Sequence, residues 1–234
     1  MDLADFELER FFARWEFDVQ HLLCASDCES MTVGELLAMA DVSPETLLAT
    51  PLGYGDSQGD PRLRTAIAAR TPGLTAEQLV VTSAPQEGIF LAMSALLQPG
   101  DRVVVTTPCY QSLAEVGRAR GCEIVPWPVR PTATGWSLDL DELETLAAGA
   151  TMVVVNFPHN PTGYLPSRST FESLADIVQR QGAWLFSDEM YRGLEPSAAQ
   201  RLPSAAQLDH ERTVSLGGLS KAYGLPGLRI GWLA

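Results

Sequence analysis

The chain has 234 residues, 46% hydrophobic and 19% charged. That balance supports a packed core, and the length suits one large α/β domain or one domain with a small appendage. A net charge of −13 argues against DNA or RNA as a partner, because nucleic-acid phosphates must be neutralised by Lys and Arg. It leaves room for a small anion in a locally positive pocket. No apolar run reaches about 18 residues, so no membrane span is expected. The acidic start Met1–Asp5 lacks the basic and apolar regions of a secretory signal, and cytoplasm is the default location. Cys24, Cys28, Cys109 and Cys122 read as reduced thiols, since the Cys24/Cys28 pair has no second pair with which to bind zinc.

In chain order, apolar residues recur at helical spacing over 6–24 (Phe6, Leu8, Phe11, Phe12, Trp15, Val19, Leu22) and 31–40 (Val33, Leu36, Leu37, Met39). They predict an N-terminal helical segment over residues 1–45. Ser43 to Pro61 is rich in Gly, Pro and Asp and reads as loop. A helix is expected from Pro61 to Arg70, with Pro in its first turn. From Leu79, short apolar runs alternate with helical patterns. The runs are Leu79–Thr82, Arg102–Thr107, Cys122–Val125, Thr151–Asn156, Ala183–Ser187, Thr213–Leu216 and Arg229–Leu233. The helices are Glu87–Leu97, Ser112–Arg120, Leu140–Ala147 and Phe171–Gln181. This predicts an α/β domain over 46–234, with a mostly parallel seven-stranded sheet flanked by helices.

Ligands of open α/β sheets bind beyond the carboxyl ends of the strands. Those ends carry Ser83-Ala84-Pro85, Pro108-Cys109-Tyr110, Asn156 to Gly163, Asp188 to Tyr191, and Gly217 to Lys221. A lysine after a strand is ordinarily a solvated surface residue. Lys221 instead sits among glycines past a buried strand, with Arg229 eight residues on, which suits a lysine held near an anion. Schiff-base formation with a carbonyl cofactor is a standard use of such a lysine.

The segment Ser215 to Trp232 resembles the lysine signature of class I/II aminotransferases, the fold-type-I enzymes dependent on pyridoxal 5'-phosphate (PLP). Three more segments match in order. Asn156 to Gly163 resembles the family's Asn-Pro-Thr-Gly loop, and Ser187-Asp188-Glu189-Met190-Tyr191 its Asp-Glu-x-Tyr strand end. Tyr54 to Gly59 followed by Leu63-Arg64 resembles its Tyr-x(4)-Gly-x(3)-Leu-Arg segment. The resemblance spans about residues 45–234.

It implies that Lys221 carries the cofactor as an internal aldimine and shuttles the α-proton. Asp188 would pair with the pyridine nitrogen and keep it protonated as the electron sink; its bland role is a helix N-cap. Asn160 and Tyr191 would hydrogen-bond the ring oxygen, and Tyr110 would stack on the ring face. The two tyrosines could instead be a core aromatic and a loop-lining residue. Arg229 would pair with the phosphate, or be a surface strand charge. Ser83, Ala84, Pro85 and Ser220 would complete the phosphate site at a helix start. Tyr54 would reach the phosphate of a neighbouring subunit, so a homodimer is expected. Two departures alter the phosphate grip. Gly218 replaces a Ser or Thr, and Ala84-Pro85 stands where the family usually has Gly followed by a hydroxyl or small residue, Pro85 having no N–H; Gln86 and Glu87 are the next candidate contacts.

The chain ends at Ala234, inside the last expected strand. The resemblance implies a continuation with a small C-terminal domain and an arginine for the substrate carboxylate. That domain is expected to be missing, and the activity of the isolated chain is left open. The leading expectation is an aminotransferase acting on an amino acid with a keto-acid acceptor. The segment Cys24 to Met31 with Ala84 to Glu87 is also similar to the branch that cyclises or oxidises arginine, where Asp27 and Glu29 would contact a guanidinium. Their bland reading is a solvated loop or an N-cap. An inactive PLP-binding fragment, a non-catalytic PLP-binding regulator and a scaffold are further alternatives.

Overall fold

The computed structural model describes residues 3–234. Among these residues nine strands are formed: β1 (Val80–Thr82), β2 (Arg102–Thr107), β3 (Glu123–Pro128), β4 (Arg130–Thr132), β5 (Gly135–Ser137), β6 (Met152–Asn156), β7 (Trp184–Asp188), β8 (Thr213–Gly218) and β9 (Gly231–Leu233). The helices are α1 (Glu7–Trp15), α2 (Val33–Met39), α3 (Pro44–Leu48), α4 (Pro61–Ala68), α5 (Pro85–Leu96), α6 (Ser112–Ala119), α7 (Leu140–Leu146) and α8 (Arg168–Arg180). Among the described residues, seven strands form one sheet in the order β1-β9-β8-β7-β6-β2-β3, and β4 pairs only with β5. From β3 to β8 the neighbours run parallel, whereas β9 is antiparallel to both β8 and β1. The expected seven-stranded, mostly parallel α/β sheet is therefore the observed one.

Strand periodicity places the core on both faces of this sheet. Val103 and Val105 of β2 and Met152 and Val154 of β6 pack with Ile89 and Met93 of α5 and Leu113 and Val116 of α6. Val104, Val153 and Val155 point the other way, against Leu143 of α7 and Phe171, Leu174 and Val178 of α8. All five residues of β6 are buried, which is why its sequence reads as an unbroken apolar run. Local signals agree with the packing. Asp139 caps α7 by accepting from the Asp141 and Glu142 N–H groups, and Ser167 caps α8 by accepting from Thr170 N–H. Asp60 caps α4 ahead of Pro61.

Three local expectations change. The first helix stops at Trp15 rather than near residue 24. No residue of α1 is buried, and a short helix without a packed face gains little from extension. The stretch read as loop contains α3, which Ser43 caps by accepting from Glu45 N–H and which Pro44 opens. The last strand begins at Gly231, because Arg229 adopts a left-handed conformation (φ 53°) that ends the preceding 3-10 turn.

β2 leads outward to β3 while β6 lies on its other side, so the winding reverses between β2 and β6. Such a switch point opens a crevice at the carboxyl ends of the strands.

Candidate active site

A cleft of about 1170 Å³ lies at those ends. Of the site residues expected from sequence, Pro85, Tyr110, Asn160, Asp188, Tyr191, Ser220, Lys221 and Arg229 all line it. Ser83, Ala84 and Tyr54 do not. Ser83 and Ala84 immediately precede α5, Ala84 as its N-cap, and Tyr54 stands fully exposed on its loop.

Asp188 ends β7 on the cleft floor and is buried. Its Oδ1 accepts from the Met190 N–H at 3.1 Å, and among the described residues no donor reaches Oδ2. Burial raises its pKa to about 6 against an ordinary 3.8, with Met190 N–H and the Lys221 charge pulling the other way. Asn156, at the end of β6, was missed as a separate functional residue. Its Nδ2 donates to the Asp188 carbonyl at 2.9 Å, and its Oδ1 accepts from Asn160 N–H at 2.8 Å. One amide thus locks the Asn160 loop to the Asp188 strand end. Beneath the loop, His159 is buried and its Nδ1 bonds Thr162 Oγ1 at 2.7 Å. Desolvation holds its pKa below the usual histidine range.

Lys221 follows β8 and is the single lysine among 16 basic residues, a signal that composition alone could have supplied. Its ammonium pairs with Asp27. Tyr110, after β2, donates to Glu9 Oε1 at 3.1 Å and meets Phe6 edge to face at 5.3 Å. The Tyr191 hydroxyl lies 2.8 Å from Ser26 Oγ. Sequence reading singled out Asp27 in this N-terminal segment but missed Phe6, Glu9 and Ser26. Their partners are more than a hundred residues away in sequence. Glu29 is exposed and does not line the cleft.

Glycines let the start of α5 approach β8 and β9 closely. A Cβ on Gly218 would lie 2.6 Å from Pro85 Cγ and 3.1 Å from the Ile230 carbonyl. One on Gly231 would lie 2.5 Å from Pro85 N, and one on Gly217 2.5 Å from the Trp232 ring. The Pro85 ring therefore fills the space that a side chain at position 218 would need, and the two departures from the family pattern form one packing unit. At the start of α5, Glu87 Oε2 accepts from Ser83 N–H at 2.6 Å, so Glu87 satisfies a helix-start donor and Gln86 is the neighbour that lines the cleft. Arg229 lines the cleft as well, with Nη1 donating to the Pro226 carbonyl at 3.2 Å.

The loop from Tyr54 to Gly59 is fastened by Arg64. That buried guanidinium donates to Gly59 O, Gln58 Oε1, Ala76 O and Asp56 Oδ2 at 3.0–3.2 Å. Gln58 O accepts from Val81 N–H of β1 at 2.8 Å. Gly59 has φ 103°, and a Cβ there would lie 2.5 Å from Val81 Cβ, so this turn requires glycine.

The profile of "Aminotransferase class I and II" matches residues 20–234. Among curated proteins, capreomycidine synthase of Streptomyces vinaceus is 39% identical over 98% of this chain and 58% of its own length. Arginine–pyruvate transaminase AruH of Pseudomonas aeruginosa is 34% identical over 81% of this chain and 49% of its own. A PLP-dependent aminotransferase structure from Streptococcus suis superposes with a TM-score of 0.91 at 30% identity, covering 100% of this chain and 63% of that one. A structure of the PLP-dependent cyclase OrfR superposes with a TM-score of 0.88 at 34% identity, covering 100% and 61%. The chain thus spans about half to three-fifths of the length of these relatives. A profile match over most of the chain, four motifs in family order and a cleft that gathers their side chains lead to one conclusion: the chain belongs to the class I and II aminotransferase family.

Proposed function

We propose that this chain forms the PLP-holding part of an enzyme that transfers amino groups between an amino acid and a keto acid. The observation that carries the reading is the single cleft joining the only lysine of the chain to a buried carboxylate, an asparagine, two tyrosines and an arginine. The residues fit the cofactor. Asp188 offers a desolvated carboxylate with one oxygen open to a ring N–H. Asn160 and Tyr191 present polar groups to a ring oxygen, Tyr110 a flat apolar face, and Ser220 and Arg229 a hydroxyl and a cation for a phosphate. PLP, when bound, withdraws electrons from the α-carbon of an amino acid. The protein then has three tasks. Lys221 binds the cofactor covalently and moves a proton at the α-carbon. Asp188 holds the ring proton, and the Asn156 amide keeps Asn160 and Asp188 in register. Tyr54, on its fastened and exposed loop, is proposed to reach a second copy in a homodimer.

A second reading, an enzyme that modifies arginine, draws on the lining contributed by the N-terminal segment. Glu7, Glu9, Glu16 and Asp27 face the same cleft, a negative surface suited to a guanidinium. Relatives named as an arginine transaminase and a PLP-dependent cyclase lend it support. The test is a panel of amino acids that includes arginine, incubated with PLP-loaded protein with and without pyruvate, the products being read by mass spectrometry. The primary reading predicts turnover only with the keto acid and none for Lys221→Ala. A cyclised or oxidised arginine formed without keto acid establishes the second reading instead.

A further inference from the structure

We propose that Ser26 is a positioning residue for Tyr191: it fixes the phenol hydroxyl from across the cleft so that the phenol proton points at the cofactor. The inference rests on the PLP reading above and extends it to a residue outside the four motifs that carry that reading. The backbone of Tyr191 is set by the turn after β7, where Tyr191 O accepts from Leu194 N–H at 3.0 Å and Asp188 Oδ1 holds Met190 N–H. Its hydroxyl has one protein partner among the described residues, Ser26 Oγ at 2.8 Å. A hydroxyl both donates and accepts. When Ser26 donates, the Tyr191 oxygen is satisfied on that side and its own O–H is free to donate into the cleft.

The contact is not a by-product of core packing. Residues 23–30 are all exposed, and polar contacts hold the strap. Asp27 pairs with Lys221, and Cys28 Sγ donates to the Lys221 carbonyl at 3.2 Å. Gly224 admits this approach, since a Cβ there would lie 3.3 Å from Cys28 Sγ and from the Glu29 carbonyl. Three consecutive residues therefore engage Tyr191 and both ends of Lys221. Burial raises the Tyr191 pKa while the Ser26 hydrogen bond opposes that rise. The other charged or titratable groups acting on this phenol are Lys221, Asp188 and Asp27, with Tyr110 alongside.

The test is PLP affinity, measured by titrating the visible absorbance of the full chain, for Ser26→Ala, Ser26→Thr, Tyr191→Phe and the Ser26→Ala/Tyr191→Phe pair. The expected result is a Kd raised about three- to tenfold by Ser26→Ala, the scale of one hydrogen bond. Ser26→Thr, which keeps the hydroxyl, restores the parental Kd to within about twofold, and Ser26→Ala has no further effect once Tyr191 is Phe. An equal loss in the Phe background, or a Thr variant as weak as the Ala variant, overturns the proposal. Absence of PLP uptake by the parent overturns the cofactor reading instead. In that event, hydrogen exchange of residues 24–29 without cofactor tests the contact. Non-additive acceleration by the two substitutions upholds it, and additive acceleration removes it.

Discussion

Asp188→Asn separates the cost of burying a charge from the benefit proposed for it opposite a cofactor. In the unfolded chain this carboxyl ionises near 3.8, whereas in the fold it keeps its proton up to about 6. The folded state thus binds that proton more tightly. The contribution of the group to stability is greatest below pH about 4, falls as pH rises to about 6, and is flat above that. A rise of about two units at about 1.4 kcal/mol each makes ionised Asp188 cost the cofactor-free fold ~3 kcal/mol at pH 8. Asparagine has the same shape, and its Oδ1 still accepts from Met190 N–H, but it carries no charge. Thermal unfolding of cofactor-free protein should place Asp188→Asn roughly 6–12 °C above the parent at pH 8, for a chain of this size, and level with it near pH 4. PLP affinity should move in the opposite direction, falling at least about tenfold as the charge partner proposed for the ring nitrogen is lost. A variant less stable than the parent at pH 8, or a stability gap that does not change with pH, refutes the reasoning.

Gly218→Ser restores the family's hydroxyl but drives its Cβ toward the Pro85 ring. It should cost ~1–3 kcal/mol in chemical denaturation, and Pro85→Ala should relieve most of that in a double-mutant cycle. Arg64→Ala removes four hydrogen bonds and leaves Asp56 unpaired, so stability should drop by ~2–4 kcal/mol. Exchange of the Val81 amide, which bonds the fastened loop, should accelerate with it. Glu189 has a side chain 11% exposed and accepts from Ala205 N–H at 2.7 Å and Ser204 Oγ at 3.1 Å. Burial lifts its pKa to about 7, so its contribution to stability falls as pH rises from about 4.5 to about 7. Glu189→Gln should flatten that part of the stability–pH curve.

The sheet was legible because its central strands are buried on both faces and therefore appear as unbroken valine-rich runs between helical patterns. The N-terminal helix was overextended because Val19 and Leu22 keep a helical spacing that no partner surface rewards. α3 was overlooked because its Ser43-Pro44-Glu45 start lies in a stretch dense in Gly and Pro. The β4–β5 hairpin escaped for a related reason, since Pro131 and a flanking Pro128 suppress a strand reading. The cleft residues were legible as motifs at strand ends, and the fold brings most of them together. What sequence could not reveal was direction. Nothing in the order of residues says that Glu87 turns to Ser83 N–H, that Arg229 is left-handed, or that Ser26 crosses to a phenol 165 positions away. The pairing of Gly218 with Pro85 looked like two losses in sequence, and only three-dimensional contact shows it as one exchange of volume.

Borohydride reduction of the PLP-incubated chain, followed by peptide mapping, tests the central claim most directly. With one lysine in 234 residues, the account predicts a single pyridoxyl group on the peptide containing Lys221 and none there in Lys221→Ala. An unmodified Lys221, or an adduct only at the N-terminal amine, contradicts it.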